Sequence, residues 1–189
     1  MKGVLFLLFL FLSQGLYAQS ECDTLKAIHS SYVYLKHNSK YGVQFNSFIV
    51  YEEGSKLEDT PQGDFVMYPY PTMFLKNMDV LSRLLKENIK PYLKPEYADS
   101  KKFFRFDLYF DEQGKILELY FTYQQDLIIP VVAIENLDRG IKEHCYIAIN
   151  GSKVIFEGAN YHRYILCYSL KDILNDNIPE EDLKVRLWW

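Results

Sequence analysis

The chain has 189 residues and a formal net charge of −4. Its lysines and arginines are dispersed rather than gathered in a stripe, which argues against nucleic acid as a partner. The 16 Tyr and 13 Phe suit half-buried strands, so the composition reads as an aromatic-rich β-containing protein before it reads as a dedicated aromatic platform.

Lys2, an unbroken apolar run over residues 4–12 and the ending Leu16-Tyr17-Ala18 predict a secretory signal peptide over residues 1–18. Cleavage near Ala18 leaves Gln19 first and makes the protein exported, either periplasmic or secreted. The apolar run is shorter than the roughly 20 residues a membrane helix needs. Cys22 lies close behind, but Gln19, Ser20 and Glu21 before it are not the small apolar neighbours that lipid attachment requires. No later segment is long and apolar enough to span a bilayer, so the expectation is a soluble mature chain without a transmembrane segment. Residues 19–189 are expected to form one domain, with an N-terminal portion (19–100), a hairpin–helix–strand unit (101–170) and a C-terminal edge segment (171–189).

Over residues 23–37, Leu25, Ile28, Tyr32 and Leu35 recur at helical intervals behind an Asp23 or Thr24 cap, although the run from Tyr32 to Leu35 favours strand. Tyr41, Val43 and Phe45 alternate, and Phe48 and Val50 continue out of phase. This predicts a strand over 42–52 bulged near Asn46 and Ser47. Residues 53–64 read as a solvated acidic loop that lacks the ordered ligand spacing of a calcium loop. Next come a short strand over 65–68 and an extended connector, Tyr68-Pro69-Tyr70-Pro71. Residues 77–90 carry a clear helical stripe of Met78, Leu81, Leu85 and Ile89, with Asn77 as cap and Pro91 as stop. Residues 92–102 link this helix to a long alternating run.

In that run Phe104, Phe106, Leu108 and Phe110 alternate, and Leu117, Leu119, Phe121 and Tyr123 alternate along the next, with Asp111 to Gly114 between them. This is a β-hairpin with one buried face. A four-residue loop sets Leu108 opposite Leu117 and Phe106 opposite Leu119, and puts Asp107 opposite Glu118 on the other face. A three-residue loop would set Leu108 against Glu118.

Residues 130–145 have helical period. Ile134, Leu137 and Ile141 are expected to face the sheet, and Glu135, Asp138, Arg139 and Lys142 to face solvent. Gly140 within this helix implies close packing against a strand. Strands are expected over 146–149 and 154–156, joined by a tight turn at Asn150-Gly151, and over 161–168. Residues 183–189 alternate as an edge strand that ends in Trp188-Trp189. Of the cysteines, Cys145 and Cys167 are the pair best placed for a disulfide, with burial as two free thiols an equal alternative, and Cys22 is left over.

The fold class expected is therefore α+β, an antiparallel sheet built on a central hairpin with one or two packing helices. No metalloprotease, nucleophile-elbow, phosphate-loop or dinucleotide pattern is present. His29, His37, His144 and His162 lack metal-ligand spacing, so neither a metal nor a cofactor is expected. The outward face of the hairpin supplies the candidate binding residues Arg105, Tyr109, Glu118 and Tyr120. It also holds one candidate acid–base pair, Asp107 with Glu118.

The segments "FRFDLYFDEQGKILELYF" and "IENLDRGIKEH" resemble the first hairpin and single helix of the TonB C-terminal domain fold, over about seventy residues (103–170). The resemblance implies a module that binds extended segments of partner proteins along a sheet edge. The chain departs from TonB in its cleavable signal and its lack of a proline-rich linker, so no functional residue is carried over. The leading expectation is an exported, non-enzymatic binding or interaction module with an exported or envelope protein as partner. The alternatives are a small exported hydrolase using Asp107 and Glu118, and a component of a cell-surface assembly using the Trp-Trp end.

Overall fold

Period-2 alternation builds the centre of the molecule. In the computed structural model, which describes residues 22–37, 46–56, 72–150 and 161–178, β5 (Phe103–Phe110) and β6 (Ile116–Gln124) form the expected hairpin. Phe106 and Leu119 lie on one face, both buried. The loop, however, has three residues rather than four: the Asp111 N–H donates to the Lys115 carbonyl at 3.0 Å, and Gly114 takes a φ of 80°. A bulge at Tyr109/Phe110 then leaves Leu117 without a cross-strand partner and turns it outward. Leu108 meets Leu119, Phe106 meets Phe121 and Phe104 meets Tyr123. The bulge keeps the apolar faces matched despite the shorter loop. It also moves Asp107 opposite Tyr120 and Glu118 opposite Tyr109, so the expected Asp107–Glu118 cross-strand pair does not form.

The remaining strands extend this hairpin on both sides. β1 (Cys22–Lys26), β2 (Ser31–His37), β3 (Ser47–Glu52) and β8 (His162–Ser169) join it in an antiparallel sheet of order β1-β2-β3-β6-β5-β8. β4 (Thr72–Lys76) and β7 (Tyr146–Asn150) form a separate two-stranded sheet. The protein is thus α+β. Residues 23–37 are two strands and not a helix: the β-branched and aromatic run at Tyr32–Leu35 pairs with both neighbours, which outweighs the local helical spacing. β4 has no counterpart among the strands expected from the sequence. The signal segment, the 65–68 strand, the Tyr-Pro connector, the Asn150-Gly151 turn, the 154–156 strand and the Trp-Trp end all lie outside the described residues.

Two helices cover one face of the large sheet, α1 (Met78–Asn88) and α2 (Val131–His144), while a short α3 (Leu170–Leu174) comes directly after β8. Between α1 and β5 lie two short 3-10 turns, Lys90–Tyr92 and Pro95–Asp99. Asn77 precedes α1 in the left-handed region and makes no side-chain cap; its amide donates instead to the His144 carbonyl at 2.6 Å, tying the start of α1 to the end of α2. Ile134, Leu137 and Ile141 are buried against the sheet as their spacing requires, each such side chain contributing about 2 kcal/mol. Gly140 lies against Leu84 of α1 rather than against a strand: a Cβ there would meet the Leu84 side chain at 2.6 Å. Gly114 is needed for close approach as well as for its φ, since a Cβ would fall 1.9 Å from the Ile147 carbonyl oxygen.

Candidate functional site

Strand alternation carries Arg105, Tyr109, Glu118 and Tyr120 to the face of the sheet opposite the helices, and the register gathers them. Tyr109 and Tyr120 meet edge to face at 5.3 Å between centroids, and Tyr51 stacks on Tyr120 at 4.8 Å. This face is not open as expected: Tyr109 is 0 % exposed, and it forms a second small core with Tyr120 and Tyr161. Glu118 accepts both the Lys56 N–H, at 3.1 and 3.2 Å from its two oxygens, and the Tyr120 hydroxyl at 3.3 Å. Asp107 accepts from Arg105 at 2.7 Å and from Arg163 Nε at 2.7 Å. Each carboxylate is thus engaged by its own partners, and the two do not form the shared-proton pair that acid–base division requires.

Cys145 and Cys167 do not form a disulfide. Both are free thiols: Cys145 is buried on the helix side just after α2, and Cys167 is exposed on β8, facing the other way beside Arg105. Burial pushes the Cys145 thiol up to about 11.

A denser polar cluster lies on the helix side, at the β1–β2 end of the sheet, where sequence reasoning places only solvent-facing charges. Glu135 and Asp138 are both buried. The Glu135 carboxylate accepts three consecutive backbone N–H groups of the β1–β2 turn, from Ile28 at 3.0 Å and from His29 and Ser30 at 2.7 Å each. One turn along the helix, Asp138 Oδ2 accepts from the Tyr32 hydroxyl at 2.8 Å and from Lys142 Nζ at 3.0 Å. Lys142 also reaches Glu52 at 2.9 Å, and Ser30 Oγ donates to Glu52 at 2.5 Å. The second oxygen of Asp138, Oδ1, is buried without a hydrogen-bond partner. Over this network opens a surface hollow of about 410 Å³, walled by His29, Glu52, Asp138, Arg139, Lys142 and Glu143.

Burial and neighbouring groups shift the charges here in different directions. Burial pushes Asp138 above its ordinary value, only partly offset by Lys142 and Tyr32. Burial alone would pull Lys142 down, but Asp138 and Glu52 prevail and hold it above its usual value, as an ammonium. Burial and the neighbouring Asp138 raise Tyr32, so it stays a phenol. Burial opposes ionisation of Glu135, yet the three backbone donors win and lower it. Glu52 is lowered too: burial acts upward, and Ser30 and Lys142 outweigh it. The i, i+3, i+7 spacing of Glu135, Asp138 and Lys142 is the one signal in the sequence that could have marked this stripe.

No protein-family model matches the chain, and no curated protein matches it. Among solved structures it is similar to a DUF5043 family protein from Bacteroides uniformis ATCC 8492, at 13 % identity over 79 % of this chain and 84 % of that one, with a TM-score of 0.48.

Proposed function

We propose that this chain is an exported, non-enzymatic binding module that takes an extended segment of an exported or envelope protein along the β1 edge of its sheet. The observation that carries this reading is the state of β1: among the described residues it is one of the two edge strands of the sheet, and all five of its residues are exposed. The Ala27 N–H donates to the Ser30 carbonyl. Alternation along the β1–β2 ladder from that pair turns the N–H and C=O groups of Cys22, Thr24 and Lys26 outward. Beside them Leu25 and Ile28 are 44 % and 65 % exposed, offering apolar contact to an added strand. Glu135 pins the adjoining turn, so the edge is held in place before a partner arrives, which limits the ordering cost of binding.

Thr24→Pro tests this reading, because it removes an outward N–H without touching the β1–β2 ladder. Capture from the exported fraction should be lost in this variant at an unchanged melting temperature, and the Thr24 and Lys26 amides of the wild type should exchange more slowly in the complex. Equal capture by the variant, with no slowing at these amides, refutes the edge as the site.

A further inference from the structure

We propose that the hollow over Asp138 is a binding site for an organic monocation, the guanidinium or primary ammonium end of a ligand. Asp138 is 2 % exposed, borders the hollow and has an oxygen with no donor. A carboxylate oxygen left that way is costly, and it keeps the capacity to accept one more N–H. The charge count agrees. Glu52, Asp138 and Glu143 bring three negative charges to the walls and Arg139 and Lys142 two positive ones, which leaves one negative charge without a counterpart in the walls, His29 apart. A metal ion fits poorly, since no group of three His, Cys, Asp or Glu among the described residues is placed to hold one. A guanidinium or ammonium, by contrast, brings a single charge and several donors.

Oδ1 is closed to solvent as the structure stands, so a donor reaches it only when a wall side chain moves. Burial holds Asp138 above its ordinary value, and the arriving cation would draw it back down, so binding should weaken on acidification. The hollow is walled by His29 of the β1–β2 turn, so the cation has two sources to be told apart, a free small molecule or a basic side chain of a segment laid along β1. Only the second source rests on the edge reading proposed above.

The test is an amide chemical-shift titration of the whole mature chain with ethylguanidinium chloride, using sodium chloride at equal ionic strength as reference. A parallel arm uses a capped seven-residue peptide of alternating valine and threonine with one central arginine. Saturable shifts at His29, Ser30 and Arg139, weakened about tenfold in Asp138→Asn, support the site. Should Asp138→Asn not fold, Glu143→Gln on the exposed rim replaces it and should weaken binding about twofold. No saturable shift, or equal binding by wild type and variant, overturns the proposal. Tighter binding of the peptide, with added shifts at Thr24 and Lys26, assigns the cation to a partner's side chain. Tighter binding of ethylguanidinium assigns it to a free ligand. If neither probe binds while capture remains sensitive to Thr24→Pro, the cation site falls and the edge reading stands.

Discussion

Asp107 and Asp138 are almost equally removed from solvent, at 3 % and 2 % exposed, yet the two faces of the sheet treat them differently. On the outer face two arginines converge on Asp107, so one negative charge is set against two positive ones. On the helix face Asp138 shares a single lysine with Glu52 and keeps one oxygen without a donor. A buried carboxylate that is over-compensated is a structural tie, because its removal strands the cations around it. One that is under-compensated has capacity for a further donor.

The largest expected effect separates these two roles. Asp107→Asn leaves two half-buried guanidiniums facing each other without their anion and should cost about 3 kcal/mol. Asp138→Asn keeps an acceptor for Tyr32 and leaves Lys142 its bond to Glu52, so the loss should be about 1 kcal/mol. Urea denaturation of both variants measures the difference, and equal losses would remove the distinction between the faces.

The hairpin, α1, the apolar stripe of α2 and β8 are legible in the sequence because their periodicity is long and one-sided. Legibility fails where a tertiary partner decides. The three-residue loop looks wrong by register until the bulge opposite Tyr109 and Phe110 is known, and its extra residue, Leu117, leaves no compositional mark in the alternating run of β6. Glu135 and Asp138 read as solvent-facing because the helical pattern shows only which face is apolar. Their burial comes from β1 and β2 lying beside α2, and local patterns that waver between helix and strand over 23–37 do not foresee that neighbour. Alternation alone gathers Arg105, Tyr109, Glu118 and Tyr120 on one face, but it does not reveal that this face is itself packed.

Glu135 sharpens the comparison through pH. Its value in the folded chain is lowered, so its contribution is present above the ordinary carboxylate pKa and is lost as pH falls through the depressed value. Asp138 is raised, so its contribution is complete below its ordinary value and is lost as pH rises through the elevated one. His162, buried and pushed down to about 4, acts in the direction of Glu135, costing stability as pH falls below its ordinary value. Glu135→Gln keeps one acceptor for the turn and should cost about 2 kcal/mol at neutral pH. It should also flatten the acid side of the stability profile relative to wild type. Asp138→Asn should instead remove the decline on the way from acid to neutral pH. Melting curves between about pH 3 and pH 7 that change in the same direction for both variants would contradict the opposite compensation of the two carboxylates.

The smallest perturbation reads the two faces without changing either. Reactivity towards an alkylating reagent requires a thiolate that the reagent can reach. Cys145 fails on both counts, being buried on the helix side with its thiol pushed up to about 11. Cys22 lies exposed on the open edge strand and Cys167 exposed on β8. Burial raises Cys167 as well, though Arg105 beside it partly opposes that rise, so it should react more slowly than an unhindered thiol. Iodoacetamide on the native, reduced chain should therefore add two groups, with the third appearing only in denaturant, as counted by mass spectrometry. Rapid native labelling of Cys145 would mean that α2 opens from the sheet readily, and with it the seat of Glu135 and Asp138. Protection of both Cys145 and Cys167 in the unreduced chain would mean that the two thiols reach each other, which a sheet lying between them forbids.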